Sequence, residues 1–407
     1  MSDIQVFDIL VVGGGMVGSA LALGLSQQGW QVGLVEGSGR DQLLQAPVIV
    51  ESVADFEPRV SAISMASQRL LESLGAWQEI AEGRHCPYQD MVVWDRDGTG
   101  RIHFEAAELQ ARSLGTIVEN RSVVRALFGA LATSNVELID GVKVTGWWQD
   151  KGQRGVRLDN GRVLAADFVA AADGGNSRLR QWLGLPTREW DYDQHAIVCT
   201  VRTAQTHRYT AWQSFSSSGP LAFLPLATEA GDEHFCSIVW SQDTDEARRL
   251  MSLEDDRFVA ELERAIEQEL GRIESISRRF SFPLRQRHAK DYIATGFALV
   301  GDAAHTIHPL AGQGANLGYG DVRVLLDELA RAKELGLNPG HDLVLARYQR
   351  RRKGENLAMM AAMEGFKQLF GRDELPVRWL RNAGMRWLNN LGPVKNRIAA
   401  EAMGLAD

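Results

Sequence analysis

Three glycines near the amino terminus have the spacing of a phosphate-binding turn. Gly13, Gly15 and Gly18 follow the apolar run Val6–Val12 and open a stretch with helical spacing, Ser19–Gln28. Glycine at these places permits a tight turn, close approach of the backbone to a pyrophosphate and close packing of a helix on a strand. The start of the helix offers unpaired N–H groups and the positive end of its dipole to the phosphates. The pattern therefore predicts a dinucleotide site.

An acidic residue completes this unit. A second apolar run, Gln31–Val35, ends at Glu36, which lies 21 positions after Gly15. A carboxylate in that place accepts hydrogen bonds from an adenosine ribose and disfavours a 2′-phosphate. NAD or FAD therefore fits the site better than NADP. A glycine-rich turn that binds nothing is the alternative, and it is disfavoured because strand, turn, helix and Glu36 are all in register.

Two aspartates follow later strand-like runs. Asp173 comes after Arg162–Ala172, and Asp302 comes after Phe297–Val300. A carboxylate at the carboxyl end of a strand lies where ligands bind an open α/β sheet, and it can accept hydrogen bonds from polyol hydroxyls. Taken singly, an Asp-Gly pair is typical of a plain turn and a Gly-Asp pair of a helix cap. The order of the three motifs along the chain favours one shared nucleotide site.

The elements that must hold these residues alternate between strand and helix at the amino terminus. Between Asp173 and Asp302, alternating runs such as Ala196–Arg202, Leu221–Leu226 and Phe235–Trp240 are typical of an antiparallel sheet. Beyond about residue 342 the pattern is helical. We therefore predict a mixed α/β fold with a Rossmann-like nucleotide-binding domain, an inserted antiparallel-sheet domain and carboxyl-terminal helices. The predicted nucleotide-binding domain is discontinuous, at 1–75, 101–180 and 281–341, the sheet domain covers 76–100 and 181–280, and the helical segment covers 342–407.

Composition excludes several other classes. The 407 residues carry 44 basic and 52 acidic side chains, a net charge of −8, which disfavours nucleic-acid binding by bulk positive charge. Cys86, Cys199 and Cys236 form no CxxC pair, so neither a disulfide framework nor a zinc site is indicated and a reducing, cytoplasmic location is expected. His305 and His308 have a permitted metal-ligand spacing but no third ligand nearby, which favours structural hydrogen bonding instead.

The motifs together resemble those of the class A flavoprotein monooxygenases, the group that contains para-hydroxybenzoate hydroxylase. Longer stretches narrow the resemblance to the ubiquinone-biosynthesis hydroxylases (the UbiH, UbiF, UbiI/VisC and Coq group): Arg59–Ile63, Val118–Asn120 and especially Gly301–Gly318. The similarity covers nearly the whole chain. Ala315 is a small departure, since many relatives have Val there.

This resemblance implies FAD as the cofactor and NADH or NADPH as the electron donor. The Asp173 motif then lies near the pyrophosphate, Asp302 binds ribityl or ribose hydroxyls, and the loop with Pro309 packs on the isoalloxazine ring, with His308 near the flavin. No side chain is nominated as catalytic base. The positions expected to contact FAD are Gly13, Gly15, Gly18, Glu36, Arg59, Asn120, Asp173, Asp302, Pro309, Gly312, Gly314 and Asn316.

The implied reaction is hydroxylation of a polyprenylated phenol or benzoquinol in ubiquinone biosynthesis, with O2, through a flavin C4a-hydroperoxide. Five apolar residues lie on strands expected to face the flavin, although an ordinary core position is the alternative for each: Trp212, Phe223, Leu224, Pro225 and Trp240. Other readings of the chain are an FAD-dependent oxidase or dehydrogenase of a small substrate, a hydroxylase of a non-quinone phenol, and a non-catalytic FAD-fold protein that binds a prenyl group or a partner.

The carboxyl-terminal region is basic. Arg347–Arg397 holds 12 basic and four acidic residues, a local charge of +8, interleaved with apolar residues that include Trp379 and Trp387. A basic amphipathic helix with Trp at its boundary is typical of peripheral contact with an anionic membrane. Packing of these helices on the FAD domain, or on a partner such as another ubiquinone-biosynthesis protein, is an equal alternative.

Overall fold

The computed structural model describes residues 4–46, 48–150, 152–306, 314–371 and 374–404. Within these ranges, helices alternate with strands that form three sheets, so the mixed α/β fold is confirmed. The helices are α1 Met16–Gln27, α2 Arg40–Leu43, α3 Met65–Ser73, α4 Trp77–Glu82, α5 Asn120–Ala132, α6 Arg178–Trp182, α7 Thr244–Ser252, α8 Asp255–Ala265, α9 Gly314–Glu334, α10 Asp342–Gly371, α11 Leu375–Asn390 and α12 Gly392–Ala402. Short 3-10 turns cover Val53–Asp55, Ala106–Leu109 and Gly301–Ala303.

The first sheet carries the predicted dinucleotide unit. Its strands are β1 Gln5–Val12, β2 Val32–Val35, β8 Glu137–Ile139, β9 Val144–Asp150, β10 Gln153–Leu158, β11 Val163–Ala171, β18 Ile293–Ala294 and β19 Phe297–Leu299. The central strands β19, β11, β1, β2 and β8 are parallel neighbours, in that order. They are apolar on both faces because helices cover them, among them α1, which is buried along Leu21–Leu25. The carboxyl ends of β1, β2, β11 and β19 therefore lie along one edge.

The second sheet is largely antiparallel, as the alternating runs predicted. Its strands are β5 Asp90–Asp95, β6 Arg101–Glu105, β12 Thr187–Thr203, β13 Thr210–Ser216, β14 Gly219–Leu226, β15 Phe235–Asp243, β16 Ile273–Ile276, β17 Phe280–Ala289 and β20 His305–Thr306. The order is β20-β17-β12-β15-β14-β13-β5-β6, and β13 and β5 form a parallel pair. Strand β20 directly follows the Gly301–Ala303 turn, so the second sheet is joined to the edge of the first.

A small third sheet connects the two larger ones. Its strands are β3 Val60–Ile63, β4 His85–Tyr88 and β7 Gly115–Glu119, with β7 in the middle. The antiparallel pair of β5 and β6 spans the boundary that the sequence predicted at residues 100 and 101. The predicted division into domains stays a prediction.

The carboxyl-terminal helices pack on both large sheets through buried ion pairs. Arg381 on α11 binds Asp95 at 2.6 Å, and Lys395 on α12 binds Glu108 at 2.9 Å. Phe370, near the end of α10, stacks on Phe215 of β13 with ring centroids 4.5 Å apart. A large part of the basic excess of this region is therefore neutralised by acidic residues elsewhere in the chain.

Candidate functional site

The glycine turn lies between the end of β1 and the start of α1, and its three glycines have different tasks. Gly13 has a φ of +106°, and a Cβ atom there would lie 2.3 Å from the carbonyl oxygen of Ala172. A Cβ atom on Gly18 would lie 1.9 Å from the carbonyl oxygen of Gly13. Gly15 has no atom within 4 Å of its would-be Cβ. Gly13 and Gly18 are thus required by the turn itself, whereas Gly15 leaves open space in front of the helix N-terminus, where a pyrophosphate fits.

Glu36 follows β2 and closes this turn from the other side. Its Oε2 atom accepts a hydrogen bond from the backbone N–H of Gly14 at 2.6 Å, and its Oε1 atom accepts one from Ser38 at 2.7 Å. A carboxylate has about four acceptor positions, so both oxygens retain a lone pair for ribose hydroxyls. Glu36 therefore fixes the turn and can still bind a nucleotide.

A cleft of about 480 Å³ opens in front of the turn. Asp173, at the end of β11, lines it and accepts hydrogen bonds on Oδ2 from the N–H groups of Arg178 (2.9 Å) and Leu179 (3.3 Å). Its Oδ1 atom is buried and has no hydrogen-bond partner among the described residues. A buried acceptor of this kind is costly unless a donor reaches it. Besides Asp173, the cleft is lined by Gly13, Gly15, Glu36, Lys143 and Trp182. The open position at Gly15 and the free Oδ1 atom both fit an FAD pyrophosphate and its hydroxyls.

Arg180 connects the two aspartate motifs, a role that sequence reasoning missed. Its buried guanidinium donates to the carbonyl oxygens of Gly175 at 2.9 Å and Ala303 at 2.8 Å. These carbonyls belong to the turns after β11 and β19. Arg180 closes the motif that begins at Asp173, so the signal was present in the sequence, but the tertiary neighbour at Ala303 was not.

Asp302 lies in the Gly301–Ala303 turn, and its side chain meets solvent on one side. Protein surrounds the carboxyl on its other sides, and this burial raises its pKa above the ordinary value, although the charges of His305 and Arg59 act in the opposite direction. Gly301 has a φ of +62° and allows the turn. Asp302 is thus available to accept hydrogen bonds from a ligand.

Arg59 and Asn120 meet beside the third sheet. The backbone N–H of Asn120 donates to the carbonyl oxygen of Arg59 at 3.0 Å, and its side-chain Oδ1 accepts from Ser61 Oγ at 2.7 Å. The exposed Arg59 guanidinium lies 5.2 Å from the ring centroid of Phe282 on β17. The two residues thus stand where the second sheet faces the Asp302 turn.

Asn316 holds the start of α9 in place. Its Oδ1 atom accepts hydrogen bonds from Ser64 N at 3.0 Å and Ser67 Oγ at 2.8 Å, and its Nδ2 atom donates to Ala62 O at 2.8 Å. Gly314, the first residue of α9, has open space around it. The expectations for His308, Pro309 and Gly312 lie outside the described residues.

His305 is a buried hydrogen-bonding residue, as predicted. Its Nε2 atom lies 2.6 Å from the Oδ2 atom of Asp321, and both side chains are almost wholly inaccessible to solvent.

The two faces of the second sheet differ. Trp212, Phe223 and Trp240 lie on the face that packs on α7 and α8, in one core with side chains such as Phe258. Leu224 lies on the opposite face, in a core with Phe56 and Ala62, because successive residues of a strand point to opposite sides. Pro225 is buried and returns to the first face, opposite Cys236. The packing thus gives Trp212, Phe223 and Trp240 the core role named as their alternative, and the expectation that they line a substrate site is not supported.

The face toward Arg59 carries partly exposed apolar residues that sequence reasoning had not selected. Val239, Ala222 and Gln213 stand side by side on neighbouring strands, and Phe282 lies beneath Arg59. The strand alternation was visible in the sequence, but the sequence did not reveal which face the helices cover.

The sheet order, the cleft at the parallel edge and the glycine turn define the class of FAD-binding oxidoreductase folds. The FAD binding domain family matches residues 6–361. Among solved structures, PqsL, a probable FAD-dependent monooxygenase from Pseudomonas aeruginosa, has a TM-score of 0.76 at 24% identity and covers 94% of this chain and 100% of its own. PnpA, a p-nitrophenol 4-monooxygenase from Pseudomonas putida DLL-E4, has a TM-score of 0.79 at 20% identity over 99% of both chains. These two likenesses show the fold.

Curated relatives are more similar. A 3-demethoxyubiquinol 3-hydroxylase of Escherichia coli K12 is 38% identical over 403 residues, covering 98% of this chain and 99% of that protein. A ubiquinone hydroxylase, UbiL, of Rhodospirillum rubrum is 36% identical, covering 98% and 90%. A ubiquinone biosynthesis monooxygenase, COQ6, of Danio rerio is 34% identical with the same coverage. The chain belongs to the FAD binding domain family and, within it, to the ubiquinone-biosynthesis hydroxylases, so the resemblance read from the sequence is confirmed.

Proposed function

We propose that this protein is an FAD-dependent monooxygenase that hydroxylates the ring of a polyprenylated benzenoid intermediate of ubiquinone biosynthesis, with O2 and with NADH or NADPH as electron donor. The observation that carries the proposal is the likeness to ubiquinone hydroxylases along 98% of the chain. It is supported by a glycine turn, a Glu36 and an Asp173 whose geometry fits FAD. A mere FAD oxidase sharing only the nucleotide unit would not account for likeness over the second sheet.

Bound FAD would supply the oxygen-activating redox chemistry that side chains lack. The chain's own residues would bind and orient it. The N-terminus of α1 at Gly15 would hold the pyrophosphate, Glu36 the adenosine ribose, and Asp302 the ribityl hydroxyls. Backbone N–H groups at the start of α9, held by Asn316, would stabilise negative charge that develops at the ring edge.

The substrate ring is assigned to the face of the second sheet that is turned toward Arg59. Support comes from the partly buried Val239, Ala222 and Phe282, which offer an apolar surface, and from Gln213, which offers the polar group of that row. The apolar wall would orient the ring and exclude water from the reacting oxygen. We also propose that the discontinuous domain division predicted from the sequence describes the two halves of this site.

The proposal is tested with purified protein and a synthetic demethoxyubiquinol of short prenyl length, because a 38% identical relative is named for that substrate. We expect a bound chromophore with flavin absorbance, NAD(P)H oxidation stimulated by the quinol, and a product heavier by one oxygen atom. A deletion strain should accumulate the unhydroxylated ring, whose structure names the ring carbon. Colourless protein that takes up no added FAD would refute the proposal.

A peripheral membrane contact through α11 is a second, separable part of the proposal. Within the described residues, no helix has the length and apolar character needed to cross a bilayer. Trp379 and Trp387 of α11 are nevertheless 71% and 64% exposed, and with Arg386 they project from one face of that helix. Exposed Trp beside Arg is typical of the interfacial region of a membrane. A lipid surface would also bring the enzyme to a prenylated substrate.

Flotation with vesicles of phosphatidylethanolamine and phosphatidylglycerol tests this contact. The variant with both Trp379→Ala and Trp387→Ala should lose vesicle binding. Trp190→Ala is the matched control, because Trp190 is 49% exposed on β12, in the second sheet. Equal flotation of both variants and the wild type would contradict a membrane role for α11.

A further inference from the structure

A buried polar cluster lies directly beneath the turn that carries Asp302. Its members are Asp321 on α9, Arg352 on α10 and His305 on β20, and they are called the Asp321 cluster below. The side chain of Asp321 has no solvent exposure, and that of Arg352 is 3% exposed. Burying two opposite charges is costly unless good geometry and further hydrogen bonds replace the lost water. Each bond of this cluster therefore identifies a segment whose position it fixes.

The carboxylate of Asp321 joins three segments. Its Oδ2 atom accepts from the backbone N–H of Gly301 at 2.9 Å and from His305 Nε2 at 2.6 Å, and its Oδ1 atom accepts from Arg352 Nε at 2.7 Å. Burial alone would raise the pKa of Asp321, but the charges of His305 and Arg352 and their hydrogen bonds outweigh it and hold the pKa below its ordinary value. Asp321 is therefore ionised, and the His305 nitrogen that faces it carries the proton.

Arg352 extends the connection to the start of α9. Its Nη2 atom donates to the carbonyl oxygen of Leu317 at 3.1 Å and to Asn356 Oδ1 at 2.8 Å. Leu317 belongs to the first turn of α9, which begins at Gly314. One residue of α10 therefore holds both the Gly301 turn, through Asp321, and the first turn of α9, directly.

We propose that Asp321 and Arg352 are positioning residues for the FAD ring system, an inference that rests on the proposed function. The Gly301–Ala303 turn presents Asp302, and the first turn of α9 presents backbone N–H groups. The Asp321 cluster sets the separation of these two groups. It thereby fixes the ribityl hydroxyls relative to the ring edge, and it makes that geometry depend on the placement of α10.

Arg351 is a natural control, because it ties the same two helices by the same chemistry. It binds Asp327 at 3.2 Å and Glu328 at 3.0 Å, both on α9, and its side chain is 43% exposed. Only Arg352 shares its partner with the Gly301 turn. A general loosening of α10 from α9 would follow from either substitution, whereas a displaced FAD site would follow only from loss of Arg352.

The experiment compares Arg352→Met with Arg351→Met in the full chain. We expect Arg352→Met to weaken FAD binding to the apoprotein by about tenfold or more, as loss of outer-shell partners does at other prosthetic sites. It should also alter the visible circular dichroism of bound flavin and raise the H2O2 released per NAD(P)H oxidised. Arg351→Met should leave all three at wild-type values. Arg352→Lys keeps the charge but not the fork that reaches Leu317, so it should give intermediate values.

Two further variants guard against misfolding, since Arg352→Met leaves Asp321 without its main cation. If Arg352→Met does not fold, Arg352→Lys and Asp321→Asn are read in its place. Variants that lose thermal stability but keep wild-type FAD affinity and flavin dichroism would overturn the inference, because the cluster would then be structural only. Affinity and dichroism need no substrate. A wild type that binds FAD but hydroxylates no ring would therefore refute the proposed function and leave this inference standing.

Discussion

The nucleotide cleft and the second sheet are built on different kinds of information. In the cleft, residues close in sequence are also close in space: Gly13, Gly15 and Gly18 form one turn, and Glu36 closes it. In the second sheet, adjacent residues such as Phe223 and Leu224 point into different cores. A motif that is local in sequence thus fixes its own geometry, whereas a strand fixes only an alternation, and the layers packed on the sheet decide which face is free.

The largest effect is expected in the cleft. A Cβ on Gly18 would lie 1.9 Å from Gly13 O, so Gly18→Ala should break the turn, abolish FAD binding and cost about 3 kcal/mol or more of unfolding free energy. Gly15→Ala should weaken FAD binding yet leave the apoprotein as stable as the wild type, because its Cβ meets no protein atom. Denaturant unfolding of the apoproteins and FAD titration measure both. Equal loss of stability in the two variants would erase the distinction between turn and phosphate space.

The second sheet should separate stability from substrate handling by face. Phe223 is fully buried against the α7 and α8 layer, so Phe223→Ala should cost about 3–5 kcal/mol and leave the KM for the quinol unchanged in the folded fraction. Val239→Phe, on the opposite face, should block ring hydroxylation while FAD binding persists. The check is steady-state kinetics alongside urea unfolding. A raised KM in Phe223→Ala would return substrate contact to the helix-covered face.

His288 on β17 links the second sheet to the Asp302 edge and should make stability depend on pH. Its ring bonds to Tyr292 Oη at 2.8 Å, and burial, followed by the charges of His305, Lys353 and Arg188, lowers its pKa to about 4. The unfolded chain binds this proton near pH 6.5, so between pH 6.5 and 4 the unfolded state holds more protons. The free energy of unfolding should therefore fall as pH drops through that window, by up to about 3 kcal/mol from this group.

His288→Gln tests this dependence, since an amide can still bond to Tyr292 but does not titrate. Unfolding midpoints at pH 7 and pH 5 should converge more closely in the variant than in the wild type. Parallel pH curves for the two proteins would show that His288 is not the titrating group.

The smallest effect is expected at Glu36. Glu36→Gln keeps the size of the side chain but presents an NH2 group to one of two backbone donors, Gly14 or Ser38. We expect a loss of about 1 kcal/mol and a modest fall in FAD affinity. Isothermal titration of the apoprotein measures it. A loss as large as that of Gly18→Ala would mean that Glu36, and not the glycines, holds the cleft together.

Prediction from sequence succeeded where a motif carries its own geometry. The βαβ unit appeared with strands β1 and β2 close to their expected bounds, and α10 begins at Asp342, where the helical pattern was expected to start. Prediction fell short where a residue acts through a distant partner. Arg180 was visible within the Asp173 motif, but its bond to Ala303 spans 123 positions. Arg352 was counted only as part of a basic segment, because nothing local reveals that its partner is Asp321.

The sequence by itself determined the nucleotide-binding unit, the order of the motifs and the family, because glycine spacing and strand-end carboxylates are constrained by the backbone conformations that they must adopt. Tertiary structure alone decided which face of the second sheet is open, and which charges of the basic carboxyl-terminal region are spent on buried pairs. Arg352, Arg381 and Lys395 count toward the positive charge in the sequence, yet each is buried against a carboxylate. Burial is a property of neighbours, and a neighbour distant along the chain is fixed only when the whole fold is packed.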